Sequence, residues 1–219
     1  ALNSIIVNGK IVGSTIEFWG ATRDAFMQEL MNESGDFKLN SEEADYVMMV
    51  YDNIPNLKSL TISDGIIGLR RSLFFLSYFD TFKVPNSVTS TNGAFDNAHF
   101  DNFYPGTGIT VIDDEDETDL FSNATFKKIF LPEGITEIKR YGIHPASDSI
   151  EYLVIPSTVK IIENEAIPYE SFTSNAVIVN ETGEAFDWNN VLGNGTGEAF
   201  ITGEVTISSG KTITIRDYR

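Results

Sequence analysis

Carboxylates dominate whatever chemistry this chain could perform. The run Asp113-Asp114-Glu115-Asp116-Glu117-Thr118-Asp119 gathers the hard oxygen ligands that Ca²⁺ prefers. Asp113, Asp114, Glu115, Asp116 and Asp119 form its candidate ligand set. The run lacks the Asp-x-Asp-x-Asp-Gly spacing that wraps an ion, and dense charge usually marks a solvated loop, so Ca²⁺ is the one cofactor left open. His99 and His144 are the only histidines. Neither lies in a nucleophile elbow or a metal-ligating motif, and both read as corners of the chain. Two well-spaced acids would suffice for a glycosidase, yet no pair stands out. Gly193-Asn194-Gly195-Thr196-Gly197 lacks the Lys-Ser/Thr of a phosphate loop. With no cysteine, disulfides, thiol nucleophiles and Cys-based zinc sites are excluded. The expectation is a non-catalytic chain.

Charge narrows the partners. Over 219 residues, 15 Lys and Arg face 32 Asp and Glu, a net charge of −17. Such a field repels phosphate backbones and anionic headgroups, which removes nucleic acid and favours basic proteins or cations. No run approaches the roughly 20 apolar residues that span a bilayer, so direct membrane insertion is not expected. Ala1-Leu-Asn-Ser-Ile-Ile-Val7 has no basic stretch ahead of an apolar one; a signal peptide is expected to be absent or already removed. Asn32, Asn123, Asn180 and Asn194 open Asn-x-Ser/Thr sequons, which matter only where the source glycosylates them.

What would position any site is a repeat. Ile129-Phe-Leu-Pro-Glu-Gly-Ile135-Thr-Glu-Ile138 aligns without a gap on Leu153-Val-Ile-Pro-Ser-Thr-Val159-Lys-Ile-Ile162, 24 residues later. Apolar residues fall at places 1, 4 and 6, a turn follows, and more apolar residues lie about 4, 7 and 12 beyond place 6. Place 6 recurs at Ile62, Val84, Pro105, Leu131 and Ile155, with steps of 22, 21, 26 and 24, and a decayed sixth copy is expected near Val177 and Val179, again 24 on. The third copy is the least regular, since Pro105 is expected inside its strand. Periods of this size mark a solenoid whose coils bury their apolar faces only against one another. The alternation is a short strand with one face in the core, and the following proline ends it. A generic β-sandwich would seldom repeat turn chemistry and apolar offsets together.

Phe82-Lys-Val-Pro-Asn-Ser-Val-Thr-Ser-Thr-Asn-Gly-Ala-Phe95 and Tyr152-Leu-Val-Ile-Pro-Ser-Thr-Val-Lys-Ile-Ile-Glu-Asn-Glu-Ala-Ile167 resemble the leucine-rich repeats of the BspA-like surface protein family. The likeness covers about residues 57 to 167. Ala-Phe is replaced by Gly142-Ile143 and Ala166-Ile167, and Phe74 follows Leu73 rather than Ala. The resemblance implies an exported or surface-attached bacterial protein, extracellular or on the cell surface, often engaged in adhesion to host or bacterial surface proteins.

The expected fold is therefore α/β and β-rich: a right-handed leucine-rich-repeat solenoid of about five coils over 56–185, an α/β N-terminal cap over 1–55, and a C-terminal loop and β-hairpin over 186–219. Asn8-Gly9 between Ile5-Ile6-Val7 and Ile11-Val12 signals a type I′ hairpin. Helices are expected from Thr22 to Asn32 and from Ser41 to about Val50, and Val205 to Ile215 reads as a hairpin closing the far end.

If places 1, 4 and 6 point inward, places 2, 3 and 5 lie in parallel rows on the outer face. Place 2 holds Lys58, Asp80, Lys127 and Glu151; place 3 holds Ser59, Thr81, Lys128 and Tyr152; place 5 holds Thr61, Lys83, Phe130, Val154 and Ile178. Phe130, Tyr152, Val154 and Ile178, with Lys128 beside them, form an apolar strip of the kind that meets partners. The competing reading is a glycan-binding or glycan-cleaving protein with Trp19, Trp188 and Tyr104 stacked on sugars. A third is a structural spacer.

Overall fold

In this computed structural model the described residues are 78–218, apart from 92, 115–118 and 122, together with the strand segments 4–7, 11–12, 15–16 and 59–62 and positions 68, 69 and 74. Strands dominate them, and the one α-helix among them is α1, Trp188–Val191.

The long sheet is built from one short strand per coil: β4 (Ser59–Ile62), β5 (Tyr78–Lys83), β6 (His99–Tyr104), β8 (Thr125–Phe130), β10 (Ile150–Ile155) and β12 (Phe172–Asn180), all parallel neighbours in that order. Its register is the repeat itself. Leu60 pairs with Phe82, Phe82 with Phe103, Phe103 with Ile129 and Ile129 with Leu153, so residues about two dozen apart become lateral neighbours. A parallel sheet requires a long crossover between strands, and here each crossover is the rest of the coil. On the opposite side β7 (Val111–Ile112), β9 (Glu137–Ile138) and β11 (Ile161–Ile162) form a second parallel sheet. About four turns of solenoid result.

The corners repeat as well. Val88, Ile109 and Val159 each donate a backbone N–H to the carbonyl three residues back, at Pro85, Gly106 and Pro156. Pro105 does not lie within a strand, contrary to the expectation from sequence: β6 stops at Tyr104, and the buried proline fills the inward slot that Val84 and Leu131 fill in neighbouring coils. A second corner takes the left-handed conformation at Gly93, Tyr141 and Glu165, with φ of 62°, 58° and 56°. Each leads into a small residue, Ala94, Gly142 or Ala166, and then a buried Phe95, Ile143 or Ile167.

Both ends are finished by strands. β1 (Ser4–Val7) lies parallel to β4 and extends the sheet, while β2 (Ile11–Val12) pairs antiparallel with β3 (Thr15–Ile16). β1 therefore does not pair with β2, as the hairpin expected around Asn8-Gly9 requires: it takes the edge of β4, and β2 pairs with β3 instead. The helices expected over Thr22–Asn32 and Ser41–Val50 lie outside the described residues. At the other end β13 (Gly203–Thr206) and β14 (Thr212–Arg216) form an antiparallel hairpin, and β14 lies parallel to β12.

The sixth copy departs from the expected offset. Ile150 pairs with Phe172 but Tyr152 with Val177, so β12 carries a bulge, with Asn175 at φ 64°. Extra bulge residues re-aim all that follow. Leu153 then faces Ile178 and Ile155 faces Asn180, a step of 25 where 24 was expected. Ile178 is consequently a core residue, 0% exposed.

Candidate functional site

The outer face of the long sheet brings most of the expected strip together. Place 5 of successive strands runs Lys83, Tyr104, Phe130, Val154, Val179 and Arg216; place 3 runs Thr81, Asn102, Lys128, Tyr152, Val177 and Thr214. Lys128 is exposed, and Phe130, Tyr152 and Val154 are half-buried. Ile178 does not belong here: the bulge turns it inward, and Val177 and Val179 take the places on the outer side, Val177 half-buried and Val179 covered, 1% exposed. The sequence reading named Tyr104 as a sugar-stacking ring and left it out of this row. Its signal was the residue before Pro105, since Lys83, Phe130 and Val154 likewise precede the inward slot.

The aromatic members touch in series. Tyr104 and Phe130 stack with centroids 4.7 Å apart and planes 9° apart, and Phe130 meets Tyr152 at 5.9 Å, tilted by 48°. The Lys83 ammonium lies 5.4 Å from the Tyr104 ring centre, within cation–π range. Near the C-terminus the Arg216 guanidinium donates to the Tyr218 hydroxyl at 2.9 Å. Burial raises the Tyr152 phenol above its ordinary pKa, and the neighbouring Tyr218 and Glu181 add to the shift.

The N-terminal ends of β5, β6 and β8 carry a polar cluster on the same face. Asp101 accepts the Tyr78 hydroxyl at 2.5 Å, the Lys127 ammonium at 2.6 Å and His99 Nε2 at 3.3 Å. Burial alone would push this carboxyl up. Its hydrogen bonds from Lys127, Tyr78 and His99 outweigh that and hold it at about 2. The hydrogen bond to Asp101 conversely raises the Tyr78 phenol, with burial adding to it. His99 stacks on Tyr78 at 4.7 Å. It opens β6 and so is not at a corner; His144 is, exposed and 5.5 Å from the Tyr141 ring. Asp101 is shared among Tyr78, His99 and Lys127, so its carboxylate ties three neighbouring strands together.

The acidic run is partly structural. Asp113 is 6% exposed and pairs with Lys139 at 3.3 Å. Asp119 Oδ1 accepts the Phe121 N–H at 3.3 Å, and its carbonyl accepts the Thr91 hydroxyl at 2.9 Å. Asp114 is exposed; Glu115 and Asp116 lie outside the described residues. Among the described residues no three His, Asp or Glu side chains converge to hold a metal ion.

A shallow cleft of about 610 Å³ lies at the second corner, lined by Arg140, Glu163, Asn164, Glu165 and Asn190. Glu163 accepts the Arg140 backbone N–H at 2.8 Å, while Glu165 binds the Arg140 guanidinium and, at 2.9 Å, the Tyr141 hydroxyl. The hydrogen bond from Arg140, then that from Tyr141, holds the Glu165 carboxyl below the usual range. A glycosidase acid must instead be raised to donate a proton. Trp188 is no sugar platform either: it is 0% exposed and donates its indole N–H to the Phe200 carbonyl at 2.8 Å. Trp19 lies outside the described residues. Of the sequons, Asn180 is wholly buried and bonded to the carbonyls of Glu184 and Ile201.

A family model, the BspA-type leucine-rich-repeat region, matches residues 47–174 in 6 copies. This chain belongs to that family. No curated protein and no solved structure matches it. The copies of this repeat cover the strands β4 to β10 and the outward rows they carry. Repeats of this family are typically non-catalytic and generally surface-associated. No helix among the described residues is long and apolar enough to cross a membrane.

Proposed function

We propose that this BspA-type repeat array is a non-catalytic protein-recognition module of an exported or surface-attached bacterial protein, and that it serves adhesion to host or bacterial surface proteins. The observation that carries the reading is the unbroken row Tyr104, Phe130, Val154 with Tyr152 alongside, on the outer face of the sheet. Solenoid stacking places these side chains on rigid strands, so a partner meets an already ordered surface and little ordering entropy is lost on binding. Rigid aromatic anchors are the side chains most often found at binding hot spots.

Phe130→Asp tests the reading. It puts a charge in the middle of the row without touching the inward slots. A protein captured from host extracellular matrix or neighbouring bacteria should lose at least tenfold in affinity, about 1.4 kcal/mol, with an unchanged unfolding midpoint. Undiminished capture by the variant counts against this surface.

A further inference from the structure

The glycine-rich loop after α1 holds no phosphate site, but it does hold a reactive pair. Gly193 and Gly195 lie at φ of 72° and 92°, so the chain passes through the left-handed region on both sides of Asn194, a path open to glycine. Gly195 is exposed, and the place where its side chain would stand has nothing within 4 Å. Asn194 itself is held. Its backbone N–H donates to the Asn189 carbonyl at 2.7 Å, and its Nδ2 donates to Asn189 Oδ1 at 3.1 Å and to the Thr206 carbonyl at 3.4 Å.

Asparagine is among the chemically labile residues, and a following glycine leaves its side chain open to attack from the backbone. The glycine nitrogen bonds to the asparagine Cγ while the Cγ–Nδ2 bond breaks. Nδ2 leaves as ammonia, taking up the proton that the glycine nitrogen gives away, and a five-membered imide remains. Water then adds to one of the two ring carbonyls and opens the ring to aspartate or to its β-linked isomer. Water is the only co-reactant. The step begins with loss of the glycine N–H proton, and a hydrogen bond from that N–H to a carbonyl makes the loss harder.

Three Asn-Gly pairs occur in the chain: Asn8-Gly9, Asn92-Gly93 and Asn194-Gly195. The first lies outside the described residues. Gly93 donates its N–H to the Asp119 carbonyl at 3.3 Å. The Gly195 N–H meets no acceptor among the described residues. The fold therefore guards one pair and leaves the other open.

We infer that Asn194 is a site of spontaneous deamidation, and that its conversion unties the 193–197 loop from β13, the end strand of the long sheet. Neither product keeps the Nδ2 donor. A carboxylate accepts only, so it would face the Thr206 carbonyl acceptor to acceptor, and the β-linked isomer also lengthens the backbone within the loop. The change runs in one direction without an enzyme, so it marks the age of each molecule at this edge of the sheet.

The experiment incubates the intact chain, folded and in concentrated urea, at neutral and mildly alkaline pH, and follows each Asn-Gly peptide by mass spectrometry. In the folded chain Asn194 should lose its amide about tenfold faster than Asn92, and faster still at alkaline pH. Urea should bring Asn92 up to the rate of Asn194, because the Gly93 hydrogen bond is then gone. Retention of the Asn194 amide in the folded chain would overturn the site, as would an equal folded-state rate at Asn92. Asn194→Gln should keep its amide under all four conditions, since its longer side chain closes a six-membered ring far more slowly. The aged chain, separated by its added negative charge, and the variant Asn194→Asp should both exchange the amides of Gly203–Thr206 about tenfold faster than the fresh chain, with β8 and β10 unchanged. Exchange in β13 equal to that of the fresh chain would overturn the untying.

Discussion

From β5 to β8 the solenoid is cored by phenylalanine, whereas from β8 to β12 it is cored by branched aliphatics. The same repeat template supports both. In the first region Phe74 stacks on Phe95, Phe79 on Phe100, Phe82 on Phe103 and Phe100 on Phe126, with planes 9° to 13° apart and centroids 5.0 to 6.1 Å apart. These spacings follow the strand separation of roughly 4.8 Å, so ring-on-ring contact is imposed by the sheet. In the second region Ile135, Ile138, Ile143, Ile150, Leu153 and Ile155 fill the matching slots, all 0% exposed. The lesson is that the repeat specifies inward volume and leaves its shape free. Flat rings depend on a partner on either side, and aliphatic side chains fill the space from any direction.

The sharpest way to break this contrast is one truncation in each region. Phe100 lies between Phe79 and Phe126 and also touches Phe82, Phe95 and Phe103. Phe100→Ala should cost about 3–5 kcal/mol. Leu153→Ala should fall lower, about 2–4 kcal/mol, because its aliphatic neighbours can close in. The milder pair is more telling: Phe100→Leu should cost about 1–2 kcal/mol from the lost ring geometry, and Leu153→Met less than that. Urea titration of the four variants, with hydrogen exchange to locate the loosened coils, provides the measurement. Equal losses in the two regions would remove the distinction.

Inward slots were legible in the sequence because burial forces apolar residues on a fixed spacing, and Phe79, Phe82, Ile129 and Leu153 all lie where the template puts them. Three things were not. Phe121 is a core ring against Phe103 and Phe126, yet it falls in the longer coil beyond the acidic run, where the spacing no longer points to it. The bulge at Asn175 takes the pairing offset of β12 from 22 to 25, one more than the 24 of the preceding coil, and an odd slip leaves the Val-Ile-Val pattern intact while exchanging its faces; that is why the spacing points Ile178 outward. Outer rows are harder still, because exposed places tolerate any residue. Asp101, and the place of Tyr104 in the aromatic row, emerge only once the strands are laid side by side.

Close approach between coils gives a second, smaller way to separate the regions. A Cβ at Gly106 would lie 2.2 Å from the Pro85 carbonyl oxygen, and one at Gly142 2.6 Å from that of Ile112. Both obstacles are backbone, so the coils themselves would have to move apart. Overpacking of this kind costs about 1–3 kcal/mol. Gly106→Ala should lie at the upper end, because stacked rings on either side leave the coils little freedom to tilt, and Gly142→Ala, next to the aliphatic core, at the lower end. A fall in denaturation midpoint ordered the other way would show that the aromatic region is the more compliant one.

The smallest effect concerns the outer side of the aromatic region, where Asp101 ties β5, β6 and β8 together through Tyr78, His99 and Lys127. Its carboxyl lies at about 2 in the folded chain against 3.8 unperturbed, so the unfolded chain binds a proton more readily. The stabilisation is complete above about pH 4 and is lost as pH falls through 2. The shift corresponds to no more than about 2 kcal/mol, and with the Asp101 side chain 26% exposed solvent screening reduces it to about 1 kcal/mol. Asp101→Asn should lower stability by that amount at pH 6 and by progressively less as pH falls through 2. Glu165, the tied carboxylate of the aliphatic region, is held low by Arg140 in a more open setting, so Glu165→Gln should change the same profile less. If the two variants gave matching profiles, the cross-strand tie at Asp101 would be an ordinary surface ion pair, and the contrast between the regions would lie in their cores alone.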